Sequence, residues 1–174
     1  VDIFLGDERC VDPKSELSNS LMLKNSLLTK YGNKAFFYEI FSDKKVDDNI
    51  SKNLLISKII EKCNGQPPSF DLTLLGLGDD GHTASLFPYQ KDNNADDLVI
   101  FNEGKGLKRI SLTPKVLSAS SKIIFLVSGA SKQLALKRLL DKDESQERTP
   151  SKLIKSSNQI SIFCDEESSK ELSI

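Results

Sequence analysis

The chain has 174 residues, 38 % of them hydrophobic and 28 % charged, with a formal net charge of −1. That length allows one domain with a sizeable core, and the balance is globular rather than disordered. The near-neutral charge excludes a global attraction to nucleic acid or an anionic membrane, so any anion site must be local.

No apolar stretch reaches the length of a membrane span, and no charged-then-apolar signal opens the chain. The opening "VDIFLGDER" reads as a strand already under way, with no initiator Met. The chain is therefore expected to be a fragment of a longer protein. Val1–Leu5 is predicted as a buried strand and Asp7–Glu16 as a polar loop. Ser18–Lys30 reads as a helix with a Ser cap and with Leu21, Leu27 and Leu28 among its apolar positions. Ala35–Ile40 is a short aromatic strand. Asp47–Cys63 is predicted as a helix with Ile50, Leu54 and Ile60 on its apolar side, acidic residues at its start and Gly65 beyond its end.

"FDLTLLGLG" is a second buried strand, followed by a tight turn at Gly78–Gly81 and one helical turn at Ala84–Phe87 that Pro88 stops. "KDNNADD" reads as polar and mobile. Arg109–Leu112 is a strand, and a short helix begins at Thr113, with Pro114 suited to its first position. "KIIFLVSG" is the clearest buried strand. Lys132–Leu140 is a helix with Leu134, Leu136 and Leu140, and "DKDESQER" is a solvated charge run. Gln159–Cys164 is a last strand and Asp165–Leu172 a last helix.

Strands and helices alternate almost throughout. The expected fold is α/β and Rossmann-like, a mostly parallel sheet flanked by helices. Ligands in such folds sit at the carboxyl ends of the strands. Three strands end in polar motifs, "DER", "GDDGH" and "SGASK", which are expected to face one edge. Cys10, Cys63 and Cys164 are odd in number and widely spaced, so they form neither a disulfide framework nor a zinc site. Free thiols imply a reducing, cytoplasmic compartment.

Glycines 76, 78 and 81 spell the G-x-G-x-x-G of dinucleotide sites. The surrounding residues argue against that reading. A dinucleotide turn leads into a long helix that holds the pyrophosphate, and Pro88 cuts this one short. Asp79 and Asp80 would face the pyrophosphate and repel it. The acid expected about 20 residues on is replaced by a polar stretch holding Asp96 and Asp97.

The turn instead offers His82, the chain's single histidine, two residues after Asp80. Imidazole accepts a proton near neutral pH, and a neighbouring carboxylate orients the ring. Glycines such as Gly81 let backbone approach a substrate closely. A serine triad is disfavoured because "GHTAS" is not a nucleophile elbow, and Ser85 or Thr83 is expected to cap the short turn. Arg9 reads either as an ion-pair partner of Glu8 or Asp7 or as a substrate-facing cation. Lys132, at a helix amino end, opposes the helix dipole unless an anion sits there. With Arg109 it makes two cations able to hold a phosphate at the strand ends.

"FLGDERCVDPKSELSN", "LLGLGDDGHTASLFP", "RISLT", "IFLVSGASK" and "TPSKLIKSSNQISIFCDEESSKEL" together resemble the 6-phosphogluconolactonase family, in its order and at its approximate spacings. The resemblance covers nearly the whole chain, which then reads as one lactonase-like domain over residues 1–174, the C-terminal two-thirds of the complete domain. It implies hydrolysis of the lactone ring of 6-phosphogluconolactone in the oxidative pentose phosphate pathway, without metal or organic cofactor. It also leaves open a fused or associated glucose-6-phosphate dehydrogenase, as in some relatives.

Glucosamine-6-phosphate deaminases share the fold and a similar G-x-D-G-H turn. They typically continue with "IAFNEP" and carry "DEY" earlier, where this chain has "TASLFP" and "DER". By this resemblance His82 is the catalytic base that activates water, Asp80 orients it, and Arg9 faces the substrate. Arg109 and Lys132 grip the phosphate, while Asn19 and Gly81 are further substrate-site residues. Departures from the family are Ser20 in place of a tyrosine, Asp12-Pro13 in place of Val-Pro, and the lack of an amino-terminal portion with a glycine/serine-rich phosphate loop. The alternatives are a sugar-phosphate isomerase or deaminase, and a noncatalytic sugar-phosphate-binding module.

Overall fold

The structure is a computed structural model that describes residues 1–41 and 47–172. Among the described residues, eight strands form three sheets. β1 (Asp2–Phe4) pairs in parallel with β3 (Phe36–Tyr38). β4 (Thr73–Gly76), β7 (Ile123–Val127) and β8 (Ile160–Cys164) form a parallel sheet in the order β4-β7-β8. β2 (Asp7–Arg9), β6 (Leu107–Leu112) and β5 (Val99–Gly104) form an antiparallel sheet in the order β2-β6-β5. The parallel α/β expectation holds for the first two sheets, and the antiparallel sheet is an addition to it.

Two strands were not expected. "DER" is not a loop but β2. An all-charged triplet carries no apolar alternation, so its pairing with β6 has no local signal. β5 makes a hairpin with β6 through Lys105 and Gly106, both at positive φ (53° and 75°). Positive φ at both loop positions matches the right-handed twist of the two strands.

The helical run after "DER" starts at α1 (Asn19–Leu23), passes through a π turn at Lys24–Leu28 and ends at α2 (Thr29–Tyr31). The Ser18 hydroxyl caps it by accepting the Leu21 N–H. α3 (Asp48–Lys62) is capped by Asp47, which accepts from Asn49 and Ile50. It buries Ser51, Leu55 and Ile59, whereas Ile50, Leu54 and Ile60 are exposed. The sequence offers two apolar stripes at helical spacing, and packing selected the other one.

α4 (Pro114–Ser118) follows β6, with its proline at the first turn as expected. α5 (Gln133–Leu140) follows β7 and buries Leu136, leaving Leu134 and Leu140 exposed. α6 (Glu166–Ser169) is shorter than the helix predicted to reach Leu172. Among the described residues no helix is long and apolar enough to cross a membrane.

The core joins Leu75, Ile123, Phe125 and Val127 of the parallel sheet to Val99, Ile110 and Leu112 of the antiparallel one. The other face of the parallel sheet leaves Leu74, Leu126 and Phe163 more than half exposed. The stretch read as polar and mobile is anchored at one buried residue, and the charge run read as solvated is exposed at all but Glu144, as expected. In "KDNNADD", buried Asn93 donates to Phe87 O and accepts from Asn102 Nδ2. In "DKDESQER", Arg148 pairs with Glu144 at 2.5 Å, and Glu147 O accepts the Tyr89 N–H.

Candidate active site

β4 and β7 lie side by side and parallel, so the turn after β4 and the loop after β7 share one sheet edge. This is the expected placement of "GDDGH" and "SGASK". "DER" reaches the site by another route, through the antiparallel ladder.

The turn after β4 is closed by its own backbone. Gly78 N donates to His82 O (2.7 Å), and Gly81 N donates to Gly78 O (3.0 Å). A Cβ on Gly78 would lie 2.0 Å from His82 Nδ1, so only glycine leaves room for the ring. Gly81 sits at φ +93°, its O accepts from Ser151 N, and a Cβ there would press on Thr149. The glycines thus seat a histidine where a dinucleotide turn would receive a pyrophosphate.

His82 Nδ1 lies 2.5 Å from Asp80 Oδ1, which also accepts the His82 backbone N–H at 3.0 Å. Burial alone would push the Asp80 carboxyl up, but the backbone and ring hydrogen bonds from His82 hold it below the usual carboxylate range. Asp80 is therefore an acceptor and Nδ1 carries the hydrogen, which in the neutral ring leaves the lone pair on Nε2. The His82 ring lies 4.7 Å from that of Phe87.

The predicted helical turn at Ala84–Phe87 does not form. Ala84 has φ +48°, and Thr83 and Leu86 make an isolated antiparallel bridge instead. Thr83 and Ser85 are not caps. Thr83 Oγ1 donates to Gly76 O, and Ser85 Oγ donates to Asp7 Oδ2 at 2.6 Å. Ser85 N donates to Ser111 Oγ, and Asn102 Nδ2 donates to Ser85 O. These bonds press the His82 turn onto the antiparallel sheet. Phe87 completes the contact over Gly104, where a Cβ would come within 2.2 Å of its ring.

On that sheet the register pairs Arg9 directly with Arg109 and Asp7 with Ser111. Like charges directly opposite one another are unfavourable in a ladder, so two facing arginines concentrate positive potential at one spot. The Arg109 guanidinium is nearly buried. Its Nε donates to Gly104 O at 3.2 Å, its Nη1 lies 3.8 Å from Asp7 Oδ2, and its carbon lies 5.2 Å from the Phe87 ring centre. Burial first, then Arg9, lowers its pKa.

Arg9 Nη1 donates to Leu17 O at 2.6 Å, and its Nε is buried without a hydrogen-bond partner among the described residues. The ion pair of Arg9 with Glu8 or Asp7 does not form among the described residues; Asp7 pairs with Arg109 instead. Glu8 points the other way. It is 2 % exposed and accepts from Arg9 N, Ser18 Oγ, Asn19 N and Ser20 N, which fastens the start of α1 to β2. Asn19 Nδ2 donates to the backbone O and Oδ1 of Asp7.

Lys132 ends the 3₁₀ turn Ala130–Lys132 ahead of α5, and its charge helps lower the Asp79 pKa. The larger cause there is Lys105, whose Nζ lies 3.3 Å from Asp79 Oδ1. Arg109 and Lys132 share no partner among the described residues. The structure thus joins His82, Asp80, Arg109 and Arg9 through Phe87, Ser85 and Asp7, with Asn19 behind Asp7 and Lys132 on the Asp79 side. Phe87 and Lys105 were not singled out in the sequence, and Asp7 was named only as a possible ion-pair partner of Arg9. The one available signal was the alternation in "DER", which puts Asp7 on the same strand face as Arg9.

Asp79, Asp80 and His82 each bring a potential metal-ligand atom within 4.8 Å of the others. Lys105 engages Asp79, and Asp80 and His82 engage each other, so the three stand as an ion-paired cluster.

A model of the family described as glucosamine-6-phosphate isomerases/6-phosphogluconolactonase matches residues 1–162. The chain is 31 % identical to a 6-phosphogluconolactonase from Nostoc over its whole length, covering 74 % of that protein. It superposes on the crystal structure of devB protein with a TM-score of 0.85 at 28 % identity, covering 98 % of this chain and 73 % of the other. It also superposes on 6-phosphogluconolactonase from Thermotoga maritima with a TM-score of 0.77 at 27 % identity, covering 92 % and 71 %. The chain belongs to the glucosamine-6-phosphate isomerase/6-phosphogluconolactonase family.

Proposed function

We propose that the protein hydrolyses 6-phospho-D-glucono-1,5-lactone to 6-phosphogluconate. The observation that carries this reading is the oriented pair Asp80–His82 (2.5 Å) seated beside two facing arginines. Its similarity to 6-phosphogluconolactonases over the full chain supports it. Nε2 of His82 takes a proton from water as the water oxygen bonds to the lactone carbonyl carbon. Arg9 steadies the oxyanion that develops. The tetrahedral intermediate then breaks its bond to the ring oxygen, which leaves with the proton returned from His82. Asp80 stabilises the imidazolium between the two steps. Arg109 and Lys132 bind the 6-phosphate, and Asn19 and Gly81 complete the substrate contacts. No step requires a cofactor.

The reaction belongs to the oxidative pentose phosphate pathway. The free Cys10, Cys63 and Cys164 fit a reducing, cytoplasmic setting. A fused or associated glucose-6-phosphate dehydrogenase would supply the lactone.

Base uptake on addition of freshly made lactone tests this. His82→Ala is expected to lower kcat by about 10²–10⁴. Equal rates for the two proteins overturn the base assignment. Ammonia release from glucosamine 6-phosphate by the unmodified protein overturns the lactonase reading in favour of a deaminase.

A further inference from the structure

Asp7 lies on the same face of β2 as Arg9, opposite Ser111 and diagonal to Arg109. Its side chain is 19 % exposed and that of Arg109 only 7 %. The carboxylate meets three separate parts of the site. Oδ2 takes the Ser85 hydroxyl from the His82 turn at 2.6 Å and faces Arg109 Nη1 at 3.8 Å, while Oδ1 is 3.4 Å from Asn19 Nδ2. Burial raises the Asp7 carboxyl pKa, and Ser85, Arg109 and Arg9 all oppose that rise. Glu8 is turned to the start of α1, so Asp7 is the carboxylate on the arginines' own face of β2. An ionised carboxylate at this spot offsets part of the repulsion between the two guanidinium groups and fixes the direction in which Arg109 points.

We propose that Asp7 is a positioning residue for the reaction described above: its carboxylate aims the Arg109 guanidinium and ties it to Ser85, fixing the phosphate end of the site relative to His82. This rests on the reading that Arg109 and His82 serve one substrate. The carboxylate itself takes no part in proton transfer, because His82 has its own carboxylate in Asp80. Loss of Asp7 should therefore weaken binding more than turnover.

The test is Asp7→Asn, which keeps the size and an acceptor for Ser85 but removes the charge. Lactone hydrolysis gives kcat and KM, calorimetry gives the Kd of 6-phosphogluconate, and thermal melting reports folding. KM and Kd are expected to rise about tenfold, with kcat within about threefold. Ser85→Ala keeps the charge but frees the carboxylate, and both constants should rise about threefold. Unchanged KM and Kd in folded Asp7→Asn, or a fall confined to kcat, overturns the proposal. If Asp7→Asn does not fold, an unchanged Kd in Ser85→Ala overturns it. Arg109→Ala separates the two layers. If that variant binds 6-phosphogluconate normally, the phosphate reading itself is wrong. If it binds weakly while Asp7→Asn binds normally, only the role of Asp7 is wrong.

Discussion

The His82 turn and the arginine ladder supply the two halves of the proposed site by opposite means. In the turn, Gly78, Asp80, Gly81, His82 and Phe87 lie within one short segment, and backbone bonds between Gly78 and His82 set the geometry. In the ladder, Arg9 and Arg109 come from distant parts of the chain and meet only through the register of β2 on β6. A turn of this kind depends on which residues lack a Cβ. A ladder depends on pairing, where a slip of one residue would send Asp7 and Arg9 to the opposite face. The two halves should therefore fail differently when disturbed, the turn through turnover and the ladder through binding or stability.

The sharpest break in this contrast is Gly78→Ala. A Cβ 2.0 Å from His82 Nδ1 displaces the ring and its bond to Asp80. Misplacement by an ångström is expected to lower kcat about 10²-fold. KM should stay near its original value because the arginines are untouched, and steady-state kinetics on the lactone decides it. An unchanged kcat would mean that the ring position is not what limits the reaction.

Glu8→Gln probes the ladder from behind. A buried carboxylate accepting four hydrogen bonds loses its charge and part of its accepting capacity. The cost is expected to be about 1–3 kcal/mol of stability, or roughly 2–4 °C in Tm per kcal/mol for a chain of this size. Below the melting range kcat should be retained, and denaturant unfolding measures the difference. A large fall in kcat with unchanged stability would erase the distinction between the two regions.

The smallest effect is in the pH dependence of stability. The Asp80 carboxyl is held below its unfolded value of about 3.9 by the hydrogen bonds from His82. Its contribution is complete above that value and is lost as the pH falls through the lower folded one. Asp80→Asn should therefore flatten the acid limb of Tm against pH below about pH 4 while leaving the neutral region nearly parallel. An unaltered acid limb would show that the Asp80–His82 bond carries little of the folded-state energy.

The difference between the regions also explains what could be read in advance. The strands β1, β3, β4, β6, β7 and β8 and the helix starts at Ser18, Asp47 and Pro114 follow from apolar runs, cap chemistry and proline placement, all of which act within a few residues. The same is true of Asp80 beside His82. Local patterns failed where two solutions were equally good or where strain was imposed from outside. α3 could have buried either of two stripes and took Ser51, Leu55 and Ile59. Ala84 was drawn to φ +48° as Thr83 and Ser85 bonded outward, so a helical turn gave way to a bridge. Asp7 read as a loop acid because nothing near it in the chain announces Ser85 or Arg109.

The sequence alone therefore determined the alternating α/β plan, the family resemblance and the histidine with its carboxylate, because glycine geometry and cap hydrogen bonding are short-range. Only the tertiary structure decided that "DER" is a strand, that Arg9 and Arg109 stand opposite one another, and that Asp7 lies between Arg109 and Ser85. Those facts depend on strand register, which the burial of whole faces selects and three charged residues by themselves do not encode.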